Sequence, residues 1–170
     1  MRLYIGKVRE LGDALAKALV DGKDIETEDR AEVAKDLESV LSAYVQADRE
    51  ATDRAKEILQ SRGMPQSEFG RIRKLAAEQR GIKIGDETMD YLLDQLIEML
   101  MHSGNVEEVF AEDHDLRRRM RPILRKYLEM EDAVDAEVRS KLKHVQEGSR
   151  TWEVEYQRVM GDIQRRKGLS

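Results

Sequence analysis

Six basic residues lie close together in the second half of the chain, and they are the strongest candidates for binding an anion. They are Arg117, Arg118, Arg119, Arg121, Arg125 and Lys126. In a helix, Arg117, Arg121 and Arg125 would share one stripe, and guanidinium groups hold phosphates through paired hydrogen bonds. A second interpretation is a solvated surface, paired with the carboxylates of Glu112, Asp113, Asp115 and Glu129. Charge runs more often form such solvated surfaces.

Two other groups of side chains have the residue types of catalytic or metal sites. Asp113-His114-Asp115 resembles a set of metal ligands, but adjacent residues of a helix point in different directions. Asp48 and Glu131 occupy matching places in two heptad patterns, where they would set the register, pair as catalytic carboxylates or face water. No phosphate loop, nucleophile elbow, zinc-protease motif or dinucleotide fingerprint is present. We therefore assign no catalytic, cofactor-binding or metal-binding residue and expect no enzyme.

Composition indicates a soluble helical protein. Of the 170 residues 38% are charged and 5% aromatic, and there are two prolines, which is typical of long helices. A formal net charge of −5 does not favour wholesale binding to nucleic acid or anionic membranes. The chain has no cysteine, which excludes disulfides and thiolate chemistry. No apolar run approaches the roughly 18 residues of a membrane span, and the opening MRLYIGKVREL is too charged for a signal peptide. We expect a cytoplasmic protein.

The most apolar stretch, Met89–Val106, predicts a central helix. Its apolar residues recur at steps of three and four and so share one face: Met89, Leu92, Leu93, Leu96, Ile97 and Leu100. Met99 and Met101 widen that face, so we expect cover on more than one side of the helix.

A fainter copy of this pattern near the start predicts an internal duplication. Counterparts lie 81 positions later for Val8, Leu11, Leu15 and Leu19. They lie 83 positions later for Leu37, Val40, Leu41, Tyr44 and Leu59, and 87 positions later for Phe69, Ile72 and Gly81. Amphipathic helices can be aligned by chance, but three segments in one order with small, growing offsets favour a true repeat. The expected fold is all-α and elongated, with units 1–81 and 82–170, each a three-helix module containing one long helix.

The predicted length of the long helices leads us to expect a binding partner. Thr27 is a good helix cap, and neither glycine nor proline follows until Gly63. A helix of about 33 residues reaches roughly 50 Å, too long for a compact unit of that size. Its heptad pattern (Leu37, Leu41, Tyr44, Asp48, Ala51, Ala55 and Ile58) would suit a homodimer seam. In the second unit, Pro122 predicts a kink or a restart of the long helix.

Three segments together resemble one bacterial family, the domain of unknown function 507. They are the opening MRLYIGKV, the stretch that begins FGRIRKLAAEQRGIKIGDETMDYLL and runs on to LRRRMRPILRKYL, and the close QEGSRTWEVEYQRVMGDIQRRKGLS. The resemblance covers essentially the whole chain and implies an all-helical, two-unit, elongated protein. It implies no activity, so no residue role follows from it. The family's signature falls on Val109–Arg121 and Ser149–Tyr156.

These observations favour a non-enzymatic interaction or scaffold module whose partner is an unknown protein or a second copy of the chain. The alternative is an accessory protein that binds RNA or DNA through the Arg117–Lys126 cluster. We expect no cofactor and no membrane partner.

Overall fold

A computed structural model describes residues Met1 to Ser170 and confirms the all-α class. The helices are α1 (Val8–Asp21), α2 (Arg30–Arg62), α3 (Phe69–Gln79), α4 (Thr88–His102), α5 (Asp113–Leu128), α6 (Met130–Lys141) and α7 (Arg150–Arg166). Short 3-10 turns at Ile5–Lys7, Gln66–Glu68 and Gly85–Glu87 lead into α1, α3 and α4. None of the helices combines the length and the hydrophobicity needed to cross a lipid bilayer.

The two remaining elements are strands that the sequence did not predict. β1 (Ile25–Glu26) and β2 (Glu108–Val109) pair antiparallel, with Ile25 opposite Val109 and Glu26 opposite Glu108. Ile25 is buried in the main core and Val109 packs against it, whereas both glutamates are exposed. This two-stranded ribbon therefore has an inner apolar face and an outer acidic face.

One hydrophobic core joins both halves of the chain. Helices α1 and α4 each pack against both α2 and α5. The largest side chains with almost no exposure to solvent come from all four helices: Leu11, Leu15, Leu19, Leu37, Leu41, Leu92, Leu93, Leu96, Leu100, Leu116, Met120 and Leu124. The predicted buried face of α4 is confirmed. Met99 is partly buried and packs against the main core, whereas Met101 is exposed. Because the core is shared, the division of the chain at residues 81 and 82 stays a prediction.

The 33-residue helix α2 has the predicted length and contributes side chains to two hydrophobic clusters. Its first half enters the main core, and Ala55 and Leu59 in its second half form a small cluster with Ile72 of α3. Its N-terminal cap is Asp29, whose carboxylate accepts a bond from the Glu32 amide, and not Thr27 as expected. Most of the heptad seam is thus covered within the chain.

Pro122 does not interrupt its helix. α5 continues through it to Leu128, and the break before α6 falls at Glu129. A proline inside a helix removes one hydrogen bond and costs about 3 kcal/mol. Leu116, Met120, Leu124 and Leu128 lie on one face of α5 and are fully buried, and their burial offsets that cost at about 1.5–3 kcal/mol per side chain. The predicted restart of the helix at Pro122 was wrong, because the burial of this face outweighs the local preference of proline.

Helices α6 and α7 form a separate hairpin that the opening residues of the chain fasten to the core. Leu3 enters the main core, whereas the next residue, Tyr4, enters the cluster between α6 and α7. The Gly6 amide donates to the Leu169 carbonyl at 2.9 Å. A Cβ atom on Gly6 would lie 2.1 Å from the Gly168 carbonyl oxygen, so only glycine fits there.

Substituting alanine for Gly6 should loosen this hairpin. Because the obstacle is backbone, the two segments must separate, and we expect a loss of about 1–3 kcal/mol in the free energy of unfolding. Hydrogen exchange should quicken in α6 and α7 and stay unchanged in α3. Gly70→Ala is the control: no atom lies within 4 Å of its added Cβ, and alanine favours the helix. Equal changes in the free energy of unfolding for Gly6→Ala and Gly70→Ala would contradict the close approach of Gly6 to the Gly168 carbonyl.

Candidate functional site

The basic cluster lies on α5, opposite the helix face that enters the core. Leu116, Met120, Leu124 and Leu128 are buried, so the arginines between them project sideways toward α4 or outward into solvent. Three arginines meet acidic residues of neighbouring elements, whereas the other three basic residues contact only residues of α5 and its C-terminal end. The structure therefore divides the six predicted anion-binding residues into two groups with different surroundings.

Arg117 and Arg121 join α5 to α4. Arg117 Nη2 lies 2.6 Å from Asp94 Oδ1, and its Nε lies 2.6 Å from Asp113 Oδ1. One turn later, Arg121 Nη2 lies 3.1 Å from Asp90 Oδ1. Two arginines one turn apart on α5 therefore face two aspartates one turn apart on α4. The bond from Arg117 also lowers the pKa of the Asp113 carboxyl below its usual value.

Arg119 joins α5 to the start of the ribbon. Its Nε lies 2.8 Å from Asp24 Oδ2, and the Asp24 side chain is almost completely buried. The guanidinium lies over Gly22, where a Cβ atom would be 2.5 Å from its Cζ atom. The Asp24 carbonyl also accepts bonds from the amides of Phe110 and Ala111. Asp24 thus connects β1, the end of β2 and α5.

The other three basic residues have weaker partners and stay exposed. Arg118 lies 3.8 Å from Asp115, and Arg125 lies 4.0 Å from Glu129. Lys126 Nζ lies 5.6 Å from the centre of the Tyr127 ring. Surface pairs of this kind contribute little to stability. These three side chains are the part of the cluster that is free to meet an anion.

The other sequence-predicted groups have separate surroundings. Glu112, His114 and Asp115 have potential ligand atoms within 4.8 Å of one another, whereas Asp113 of the expected trio turns to Arg117. Glu112 and His114 are exposed to solvent. Asp48 of α2 pairs with Arg73 of α3, and Glu131 of α6 lies 3.8 Å from the Met1 amino group. Asp48 and Glu131 therefore each have a cationic partner of their own.

Sequence reasoning missed an exposed aromatic residue next to the ribbon. Phe110 directly follows β2, and 56% of its surface is exposed to solvent. Its backbone is held by the bond to Asp24 at 2.8 Å. The preceding strand is only two residues long, so the sequence shows no alternation of apolar and polar residues from which the strand, or the exposure of Phe110, could be predicted. The one available signal was its place inside the family's signature region.

A second polar cluster, between α6 and α7, is buried enough to shift pKa values. The Tyr156 hydroxyl donates to the Asp135 carboxylate, which also accepts from Arg139 at 3.0 Å. The hydrogen bond from this hydroxyl lowers the pKa of Asp135, while burial, followed by the same hydrogen bond, raises the pKa of Tyr156 to about 12. The Trp152 ring stacks on Tyr156 at 5.0 Å, with Arg139 beside it. This cluster holds the two helices together.

Fold and surfaces define a helical protein with one shared core and two attached helical hairpins, α2–α3 and α6–α7. The chain belongs to the family described as "Protein of unknown function (DUF507)", whose model matches residues 1–169. The resemblance inferred from the three sequence segments is thereby confirmed. A comparison with curated proteins finds no match.

Replacing Arg119 with glutamine should destabilise the protein more than the same change at Arg118. Without Arg119, the buried Asp24 carboxylate loses its cation, whereas Arg118 is exposed and weakly paired. We expect Arg119→Gln to lower Tm by about 3 °C more than Arg118→Gln does. This is the order of magnitude for the loss of one hydrogen bond to a charged group. Thermal unfolding of both variants measures this difference. Equal Tm values would show that Arg119 does not hold the ribbon.

Replacing Tyr156 with phenylalanine should raise the pKa of Asp135. The native hydroxyl bond favours the carboxylate, so the bond stabilises the fold above the unfolded-state pKa and is lost as pH falls through the lower folded pKa. The stability gap between the two proteins should therefore close in acid. NMR titration of the Asp135 carboxyl measures the shift. Tyr91→Phe is the control, and an unchanged Asp135 pKa in Tyr156→Phe would refute the assignment.

Proposed function

We propose that this protein is a non-enzymatic interaction module of the bacterial cytoplasm, built from a duplicated helical unit. The observation that carries the proposal is Phe110, a large apolar side chain left exposed although its neighbours Val109 and Ala111 both pack against the main core. Aromatic residues, phenylalanine among them, are enriched in protein interfaces relative to the rest of the surface.

The surroundings of Phe110 support a binding role because they are rigid. Its amide and that of Ala111 both bond to the Asp24 carbonyl, and Asp24 is fixed by Arg119. On the other strand, the Thr27 hydroxyl donates to the Asn105 carbonyl at 2.6 Å. A surface that is ordered before binding loses less conformational entropy on association.

The order of elements supports the duplication. In each half a 3-10 turn and a helix of similar length come first, and a two-residue strand and a long helical segment follow. The helices α1 and α4 both lie against α2 and α5, as a pseudo-two-fold arrangement requires. Gly81 and Gly168, matched by the sequence repeat, both have left-handed backbones, with φ of 73° and 65°.

An elongated shape is part of the same proposal. The accessible surface is 10182 Å², whereas a compact monomer of 19.7 kDa would expose about 8,600 Å². Two hairpins that pack on only one side account for such an excess. An elongated molecule presents several surfaces far apart, which suits a scaffold.

RNA or DNA binding through the basic cluster stays a prediction. The exposed side chains of Arg118, Arg125 and Lys126 favour it, since they lack strong partners. The pairing of Arg117, Arg119 and Arg121 with aspartates weighs the other way, because each phosphate contact would have to replace an existing ion pair.

Quantitative affinity capture from the native cell tests the interaction proposal. The wild-type chain should retain a discrete partner that Phe110→Ser loses, with Tm unchanged because the side chain is exposed. Val154→Ser is the control, since Val154 is 62% exposed on α7. Light scattering across micromolar concentrations separates self-association from capture of another protein. A monomer that retains no partner, or a partner that Phe110→Ser retains equally, would contradict the proposal.

A further inference from the structure

The outer face of the ribbon combines one aromatic side chain with several carboxylates. Glu108 and Phe110 are both exposed, whereas Val109 between them packs against the main core. Glu26 lies directly opposite Glu108 and is exposed beside it. Like charges placed opposite each other in a strand pair destabilise that pair. The fold therefore keeps an unfavourable arrangement at this place.

Four glutamates of the ribbon and of the residues next to it have no cation of their own. Glu26, Glu28, Glu107 and Glu108 are all exposed, and none forms an ion pair. By contrast, Asp113 and Asp115 at the adjacent start of α5 are paired with arginines. Glu107 lies near Glu28 and Glu26, whose charges add to partial desolvation in raising its pKa. Negative charge is thus concentrated along the ribbon, and Arg119, whose partner Asp24 is bonded to the Phe110 amide, is already paired.

We infer that the outer face of the ribbon docks a cationic segment of a partner protein, with an arginine or lysine side chain lying over Phe110. This inference rests on the proposed function and names the chemistry of its partner. A guanidinium or ammonium group gains from both features of the surface, because it is attracted to the face of an aromatic ring and forms charged hydrogen bonds with carboxylates. A partner's cations would also relieve the repulsion between Glu26 and Glu108.

The same features weigh against other partners at this face. Four carboxylates would repel a phosphate backbone or an anionic membrane surface. A second copy of the chain is a weaker match, since Arg117, Arg119 and Arg121 of its basic cluster are already paired and only Arg118, Arg125 and Lys126 are free. A basic segment of a different protein is the occupant that the charges fit.

The test is photo-cross-linking in the native cell with the full-length chain. The photoreactive amino acid p-benzoylphenylalanine replaces Phe110 and preserves an aromatic side chain at that position. Mass spectrometry then identifies the captured peptide. We expect one reproducible segment of another protein, with more lysine and arginine than aspartate and glutamate around the cross-linked residue.

A charge variant with a matched control tests the contribution of the carboxylates. Glu26→Gln with Glu108→Gln should lower the cross-link yield at least about threefold, since two surface ion pairs are lost. Glu78→Gln with Glu153→Gln changes the net charge equally at exposed glutamates elsewhere and should leave the yield unchanged. Equal yields from the two double variants would overturn the inference.

The identity of the captured segment separates this inference from the proposed function. A captured segment that is neutral or acidic would overturn the cationic partner and leave the interaction module standing. Capture of a second copy of this chain would likewise overturn it, and light scattering would then show self-association. No captured protein at all would overturn both.

Discussion

The shared burial of the leucine faces of α1 and α4 is the constraint on which the rest of this structure depends. Each of these helices is short, and neither can cover its own apolar face. Both therefore lie between α2 and α5, which supply leucines from the other sides. This packing places the start of α5 beside β1 and brings the two strands together. The position of the ribbon and the arginine pairs between α5 and its neighbours all follow from it.

Helices could be predicted from the sequence because their signal repeats over many residues. The spacing of Leu92, Leu96 and Leu100 indicated the buried face of α4, and the lack of glycine or proline before Gly63 indicated the length of α2. The predicted restart of the helix at Pro122 was wrong, because the burial of the apolar face of α5 outweighs the local cost of a proline inside a helix. The strands could not be predicted, since two residues contain no period and their partners lie more than 80 positions apart in the chain.

The candidate sites were harder to predict than the fold. The six basic residues were found from their composition, but their division into paired and free groups depends on Asp90, Asp94 and Asp24, which lie on other elements. Phe110 gave no signal of its own. Whether an apolar residue is buried depends on the elements that surround it, and for Phe110 none covers the ring.

The pairing of β1 with β2 has a consequence for the order of folding. Contacts between residues distant in sequence form late, because a long loop must be closed before they stabilise anything. The hairpins α2–α3 and α6–α7 involve near neighbours in the chain, whereas the ribbon and the bond between Arg119 and Asp24 join residues at opposite ends of a long loop. We therefore expect the two hairpins to form first and the acidic face around Phe110 to be assembled last, so that the surface is complete only in the finished molecule.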